Sequence, residues 1–117
     1  MSDTLQREWR FYIDDMIDAS RKVLAYTAGL DQAGFVASGL HYDASVRNIE
    51  IIGEAATHVP EDVRNGHPLI PWRQIVATRN RLIHGYLGID NDTLWSIIRD
   101  DMPDLLEALV RLKESQG

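Results

Sequence analysis

The sequence contains no cysteine, which removes disulfides, thiolate metal ligands and cysteine nucleophiles in one step. It has no apolar stretch near the ~20 residues that a membrane span requires. Met1 to Arg10 lacks a basic segment followed by an apolar run, so no secretory signal is expected there. Together these absences predict a cytoplasmic protein without membrane contact. Glycine and proline are scarce, at 8 and 4 of 117 residues, and no internal repeat or low-complexity tract is visible. Positive charge is in deficit as well: 12 Lys and Arg stand against 18 Asp and Glu, a net charge of -6. Phosphate contacts supply most non-specific nucleic-acid affinity and need clustered Lys and Arg. The deficit therefore argues against a protein that grips nucleic acid over its whole surface, and allows only a local basic site. Arg73, Arg79 and Arg81 offer one, while the acids gather at Asp14, Asp15, Asp18 and from Asp90 to Asp104.

What is present is the composition of a globular protein, 44% hydrophobic and 26% charged. The length predicts a single domain over residues 1–117 with one core. So short a chain buries a modest share of its surface, and an oligomer interface would help it. Fraying is expected over the first few residues and from Glu114 to Gly117.

The apolar spacing is helical almost throughout. Trp9, Ile13, Met16, Ser20, Val23 or Leu24, and Thr27 follow three- and four-residue steps, which predicts a helix from about Leu5 to Ala28 with Gly29 as its stop. A connection from Asp31 to Gly39 has room for one helical turn carrying Phe35. Asp43 reads as the N-cap of a second helix with the stripe Tyr42, Val46, Ile49, Gly53 and Ala56, ending near Val59-Pro60. Gly53 costs about 1 kcal/mol relative to Ala in mid-helix, so a neighbouring helix or a second copy is expected to press there. Glu61 to Pro71 reads as loop. Pro71-Trp72 opens a third helix that ends near His84, with Gly85 as C′ residue. A last helix starts at Asp90 to Asp92 and runs to about Lys113, with Pro103 expected to kink or split it. No strand pair is credible. The predicted fold is all-α, an antiparallel four-helix bundle.

The end of the third helix is chemically dense. Thr78 to Tyr86 holds two arginines, an amide, an imidazole and a phenol. Asn80 and His84, four apart, share a helical face. Arg79 lies about 100° round from Asn80, and its axial distance from His84 is only about 7.5 Å. Both can then reach one phosphodiester, and Tyr86 can curl back beside the imidazole once Gly85 ends the helix. This set suits RNA cleavage without a metal. An imidazole exchanges a proton with the ribose 2′-hydroxyl or the leaving oxygen. A guanidinium forks onto the phosphate as its charge builds, and Asn80 can orient either partner. One histidine is short of an acid-and-base pair, and a symmetric dimer would supply the second. Against this stands a plainer role: a histidine at a helix C-terminus also serves as a cap.

The wider pattern adds to that reading. Val46 to Ala56 (VRNIEIIGEAA), Ile70-Pro71-Trp72, Arg79 to Tyr86 (RNRLIHGY), Trp95 and Asp101-Met102-Pro103 together resemble the HepT-like group of HEPN proteins, in order and over nearly the whole chain. The resemblance implies a small α-helical homodimer acting as the toxin of a type VII-like toxin–antitoxin pair. It implies RNA as substrate and a minimal nucleotidyltransferase as antitoxin, with a higher assembly between the two as a further option. Arg79 and His84 would then be catalytic with Asn80 in support, and Tyr86 the acceptor of AMP from the antitoxin. A bulky anionic nucleotide there would block and repel the RNA phosphate. No cofactor is expected, and no metal, because His41, His58 and His67 share no ligand spacing with His84.

The remaining candidates read as structural. Glu54 is expected to form an ion pair in the core with Arg47, Arg79 or Arg81. Asp14, Asp15 and Asp18 read as a solvated face, and Trp9, Trp72 and Trp95 as core. The competing function is a non-catalytic helical partner of a nucleotidyltransferase. A third is RNA binding without cleavage.

Overall fold

The first apolar stripe folds as its spacing predicts. In the computed structural model, which describes residues 2–84 and 89–116 with side chains over 8–84 and 89–115, helix α1 spans Ser2–Thr27. Trp9, Ile13, Met16, Ser20, Val23 and Thr27 are all buried. The two hydroxyls in that stripe stay satisfied by bonding back one turn, Ser20 Oγ to the Met16 carbonyl at 2.7 Å and Thr27 Oγ1 to that of Val23 at 2.9 Å. Gly29 follows with φ 78, a left-handed conformation in which glycine carries no Cβ penalty, and α1 stops.

The short turn expected around Phe35 is α2, Gln32–Ala37, capped by Asp31, with Phe35 fully buried. Helix α3 spans Gly39–Thr57, so it starts earlier than the sequence suggests. Its N-cap is Ser38, whose side chain accepts from the His41 backbone N–H, and Asp43 lies inside the helix. The two residues are equally suited to capping. Packing decides between them, because the Tyr42 ring lies 5.2 Å from that of Phe35 and holds the preceding turn in helical register. The segment from Glu61 is also not all loop: Glu61–Gly66 forms α4, with Glu61 and Asp62 in the first turn, where acids suit the helix dipole.

Helix α5 spans Trp72–Ile83, with Pro71 at its N-cap and His84 at its C-cap. Trp72 anchors it, donating from Nε1 to the His67 carbonyl at 3.1 Å. Gly85, expected as the C′ residue, lies outside the described residues. Helix α6, Asn91–Ser96, is capped by Asp90 and continues through a π-helical turn, Ile97–Asp101, into α7, Met102–Gln116. Pro103 therefore neither kinks nor splits the helix at its own position. Its ring would collide with the Arg99 carbonyl in a regular α-helix. The preceding turn instead widens, with the Met102 N–H bonding to the Ile97 carbonyl five residues back.

The fold is all-α, a bundle in which α1 packs on α3 and α7 while α3 also packs on α5. Among the described residues the buried apolar side chains form one cluster, with contributions from α1, α2, α3, α5, α6 and α7. No helix is long and apolar enough to cross a membrane among the described residues.

Gly53 sets the contact between α3 and α5. A Cβ there would collide with the Arg79 stem and stand 3.1 Å from the Ile75 carbonyl oxygen. The neighbour expected at Gly53 is thus helix α5. Gly53→Ala gains about 1 kcal/mol of helix propensity but overpacks this contact at a cost of about 1–3 kcal/mol. Urea denaturation should show a net loss of stability, whereas Gly39→Ala, where the added methyl meets open space, should be neutral or better. Equal stability of the two variants would mean that α3 and α5 are not in close contact. A second expectation concerns Asp90, whose carboxyl is held below its ordinary value of 3.8 by the backbone N–H and then the hydroxyl of Thr93. A lowered carboxyl stabilises the fold above its unfolded value and loses that effect as pH falls through the folded one. The stability advantage of the natural protein over Asp90→Ala should accordingly shrink below about pH 4, as thermal unfolding against pH would reveal.

Candidate active site at the end of helix α5

Arg79 leaves α5 on the face pressed against Gly53, so packing sets the direction of its stem. Its guanidinium is held at both ends. One terminal nitrogen donates to Glu54 Oε2 at 2.6 Å and the other to Asn80 Oδ1 at 2.7 Å. Each terminal nitrogen keeps one further N–H. The Arg79 side chain is 28% exposed and that of Glu54 53%. Glu54 therefore does pair with one of the three arginines considered for it, but at the edge of the bundle and not in the core. It sits on the outer side of α3, half-exposed, where no core desolvation has to be offset. Arg47 pairs instead with Glu50, at 3.7 Å.

Glu54 is itself oriented. Its Oε1 lies 3.4 Å from Nε2 of His58, one turn further along α3. The His58 ring stacks on Tyr12 of α1, with centroids 4.5 Å apart and planes 15° from parallel. Tyr12, His58, Glu54, Arg79 and Asn80 thus form one chain of contacts across α1, α3 and α5. Sequence reasoning missed the first two links. Tyr12 and His58 lie far apart on different helices and share no periodic signal, whereas the four-residue spacing of Glu54 and His58 was a signal that could have found the second.

His84 caps α5, its backbone N–H bonding to the Asn80 carbonyl at 3.3 Å, and its side chain is exposed. On an α-helix His84 is about 40° round from Asn80 and about 140° from Arg79. The bond to Asn80 ties the guanidinium of Arg79 to a residue that lies one turn before His84. The structure thus brings Arg79 and Asn80 into contact, with His84 one turn beyond. Among the described residues no hydrogen bond joins its ring to either of them. Tyr86, expected to curl back beside the imidazole, lies outside the described residues.

The charges distinguish the two sides of Arg79. The groove on its α3 side is lined by Asp15, Arg47, Glu50, Glu54 and His58. Three carboxylates against two arginines make a poor seat for phosphate. Asn80 and His84 themselves add no negative charge. Arg81 is exposed and about 200° round the helix from Arg79, so the basic residues of α5 do not converge on one point. Among the described residues no group of three His, Cys, Asp or Glu is placed to hold a metal ion. Trp9 and Trp72 are core residues, and Trp95 is half-buried, 5.2 Å from Phe35. Asp14 is not simply solvated, since it meets Lys113 of α7 at 2.6 Å.

Comparison with known proteins places this geometry in a family. The model described as "Ribonuclease HepT-like" matches residues 16–112. A protein of Methanocaldococcus jannaschii named as a "Putative RNase" is 34% identical over 100 residues, covering 86% of this chain and 92% of its own length. The "Probable ribonuclease HepT" of Thermococcus cleftensis is 32% identical over 110 residues, with 94% and 100% covered. A "Putative RNase" of Caldanaerobacter subterraneus subsp. tengcongensis is 31% identical over 96 residues, with 82% and 86% covered. No solved structure matches. The matched residues include α3, α5 and the Arg79 to His84 segment, and the chain belongs to the HepT-like ribonuclease family.

Proposed function

We propose that this ribonuclease cuts RNA internally and without a metal, through Arg79 and His84 with Asn80 in support. The observation that supports the reading is the hydrogen bond from Arg79 to Asn80, which ties the guanidinium to a residue one turn before His84 on the same helix. An RNA phosphate at this helix end meets the remaining N–H groups of Arg79, whose charge is permanent and whose planar fork matches phosphate oxygens. The His84 imidazole is exposed and within reach of the ribose. In the proposed step the 2′-oxygen gives up its proton and attacks phosphorus. The bond to the 5′-oxygen breaks, and that oxygen takes up a proton. One imidazole serves one of these two transfers at a time. A homodimer that joins two α5 ends would supply the other. Ile83, 51% exposed beside His84, and Phe11, 65% exposed on α1, give this end of the molecule an apolar surface for such a contact.

The reading extends to a cytoplasmic toxin of a type VII-like toxin–antitoxin pair, with a minimal nucleotidyltransferase as antitoxin and partner. AMP transferred to Tyr86, two residues beyond His84, would place a bulky anion where the RNA phosphate must sit and silence the nuclease.

Purified protein incubated with cellular RNA in excess EDTA should cleave it, and His84→Ala should abolish the cleavage. Equal RNA loss with both proteins would remove His84 as a catalyst, and loss of activity in chelator would remove the metal-free mechanism. For Tyr86, intact-mass measurement after incubation with the nucleotidyltransferase and ATP should show addition of AMP. An adduct that persists in Tyr86→Phe would rule out this acceptor.

A further inference from the structure

The Glu54 pair with Arg79 raises a question of cost. A carboxylate beside a guanidinium weakens its attraction for phosphate, and so works against RNA binding. The pair also adds little to stability, because half-exposed ion pairs are solvated and screened by water. Neither binding nor stability accounts for its geometry. The contact is short, at 2.6 Å. It holds the terminal nitrogen opposite the one held by Asn80. Glu54 is steadied in turn by His58, whose ring is stacked on Tyr12. Gly53, the preceding residue, lets the Arg79 stem lie directly against α3. Every contact in this group restricts the rotation of one guanidinium.

We infer that Glu54 is a positioning residue of the nuclease, which fixes the plane of the Arg79 guanidinium before RNA arrives and weakens RNA binding in doing so. The inference rests on the proposed role of Arg79 in cleavage. An arginine side chain loses substantial rotamer freedom when it is ordered. Where the free enzyme already holds it in place, that loss does not add to the barrier of the chemical step. His58 and Tyr12 act one link further out by fixing the carboxylate. Asn80 fixes the other end.

The signature is a split between kinetic constants. On a fluorophore–quencher single-stranded oligoribonucleotide of mixed sequence, Glu54→Ala should lower kcat by about 10- to 100-fold. Its KM should stay the same or fall, because a negative charge near the phosphate is gone. Glu54→Gln keeps an acceptor for the Arg79 N–H and should recover most of kcat while keeping the lower KM. A purely structural role would change the melting temperature and the active fraction without this split. A second readout is independent of turnover: nitrogen-15 spectra of the Arg79 guanidinium, assigned with Arg79→Lys. They should show separate, slowly exchanging terminal nitrogens in the natural protein and one averaged signal in Glu54→Ala. If the natural protein and His84→Ala behave as proposed but Glu54→Ala keeps its kcat or its resolved Arg79 signals, the positioning role is overturned and the ribonuclease reading stands. If the natural protein does not cleave the oligoribonucleotide, both fall together.

Discussion

The contact of Gly53 with the Arg79 stem is the constraint on which the arrangement at this end of the bundle depends. Helix α5 packs closely on α3 and, among the described residues, has no comparable support from another helix. Where the two helices touch, α3 contributes no side chain at position 53, and the Arg79 stem lies against its backbone. That absence places the first carbons of Arg79 against α3 and puts its guanidinium beside Glu54, 25 positions away in sequence. It also sets the rotation of α5 about its own axis, and with it the directions of Asn80 and His84. A residue with a Cβ at position 53 would push α5 outward and turn all three groups at once. A mid-helix glycine costs helix propensity, and here it serves a close approach of backbones.

Charge is organised on the same short scale. The protein is acidic overall, yet fields at a wet surface fade over a Debye length of about 8–10 Å. What an approaching anion meets is the local set of groups. On the α3 side of Arg79 these are mostly carboxylates and their partners. On the other side they are an amide and an exposed imidazole. The single arginine thus meets a carboxylate through one terminal nitrogen and a neutral amide through the other.

The sequence was most legible where one helix faces the core. The α1 stripe from Trp9 to Thr27, the stop at Gly29, the Phe35 turn and the start of α6 at Asp90 all follow local rules of period and capping, and the structure follows them too. It was least legible where several residues satisfy the same rule. Ser38 and Asp43 can both cap, and the choice went to Ser38 because Tyr42 packs on Phe35. Pro103 was certain to disturb its helix, but no local rule told a kink from a π-helical turn. The difference lies in whether the flanking stretches α6 and α7 both stay buried in one line, as Leu94, Ile98, Met102 and Leu105 do.

For the candidate site the division is similar. By itself the sequence determined which groups are available and that helical spacing keeps them close together. Arg79, Asn80 and His84 lie within two turns of one helix, and a helix has a fixed pitch. The sequence also determined that something must press on Gly53. Only the tertiary structure decided what that was, which of the three arginines Glu54 would meet, that the pair would sit at a half-open edge and not in the core, and that His58 and Tyr12 would steady it. Those choices depend on how α1, α3 and α5 are placed in space. That placement is set by the sum of many core contacts, none of which a local pattern encodes.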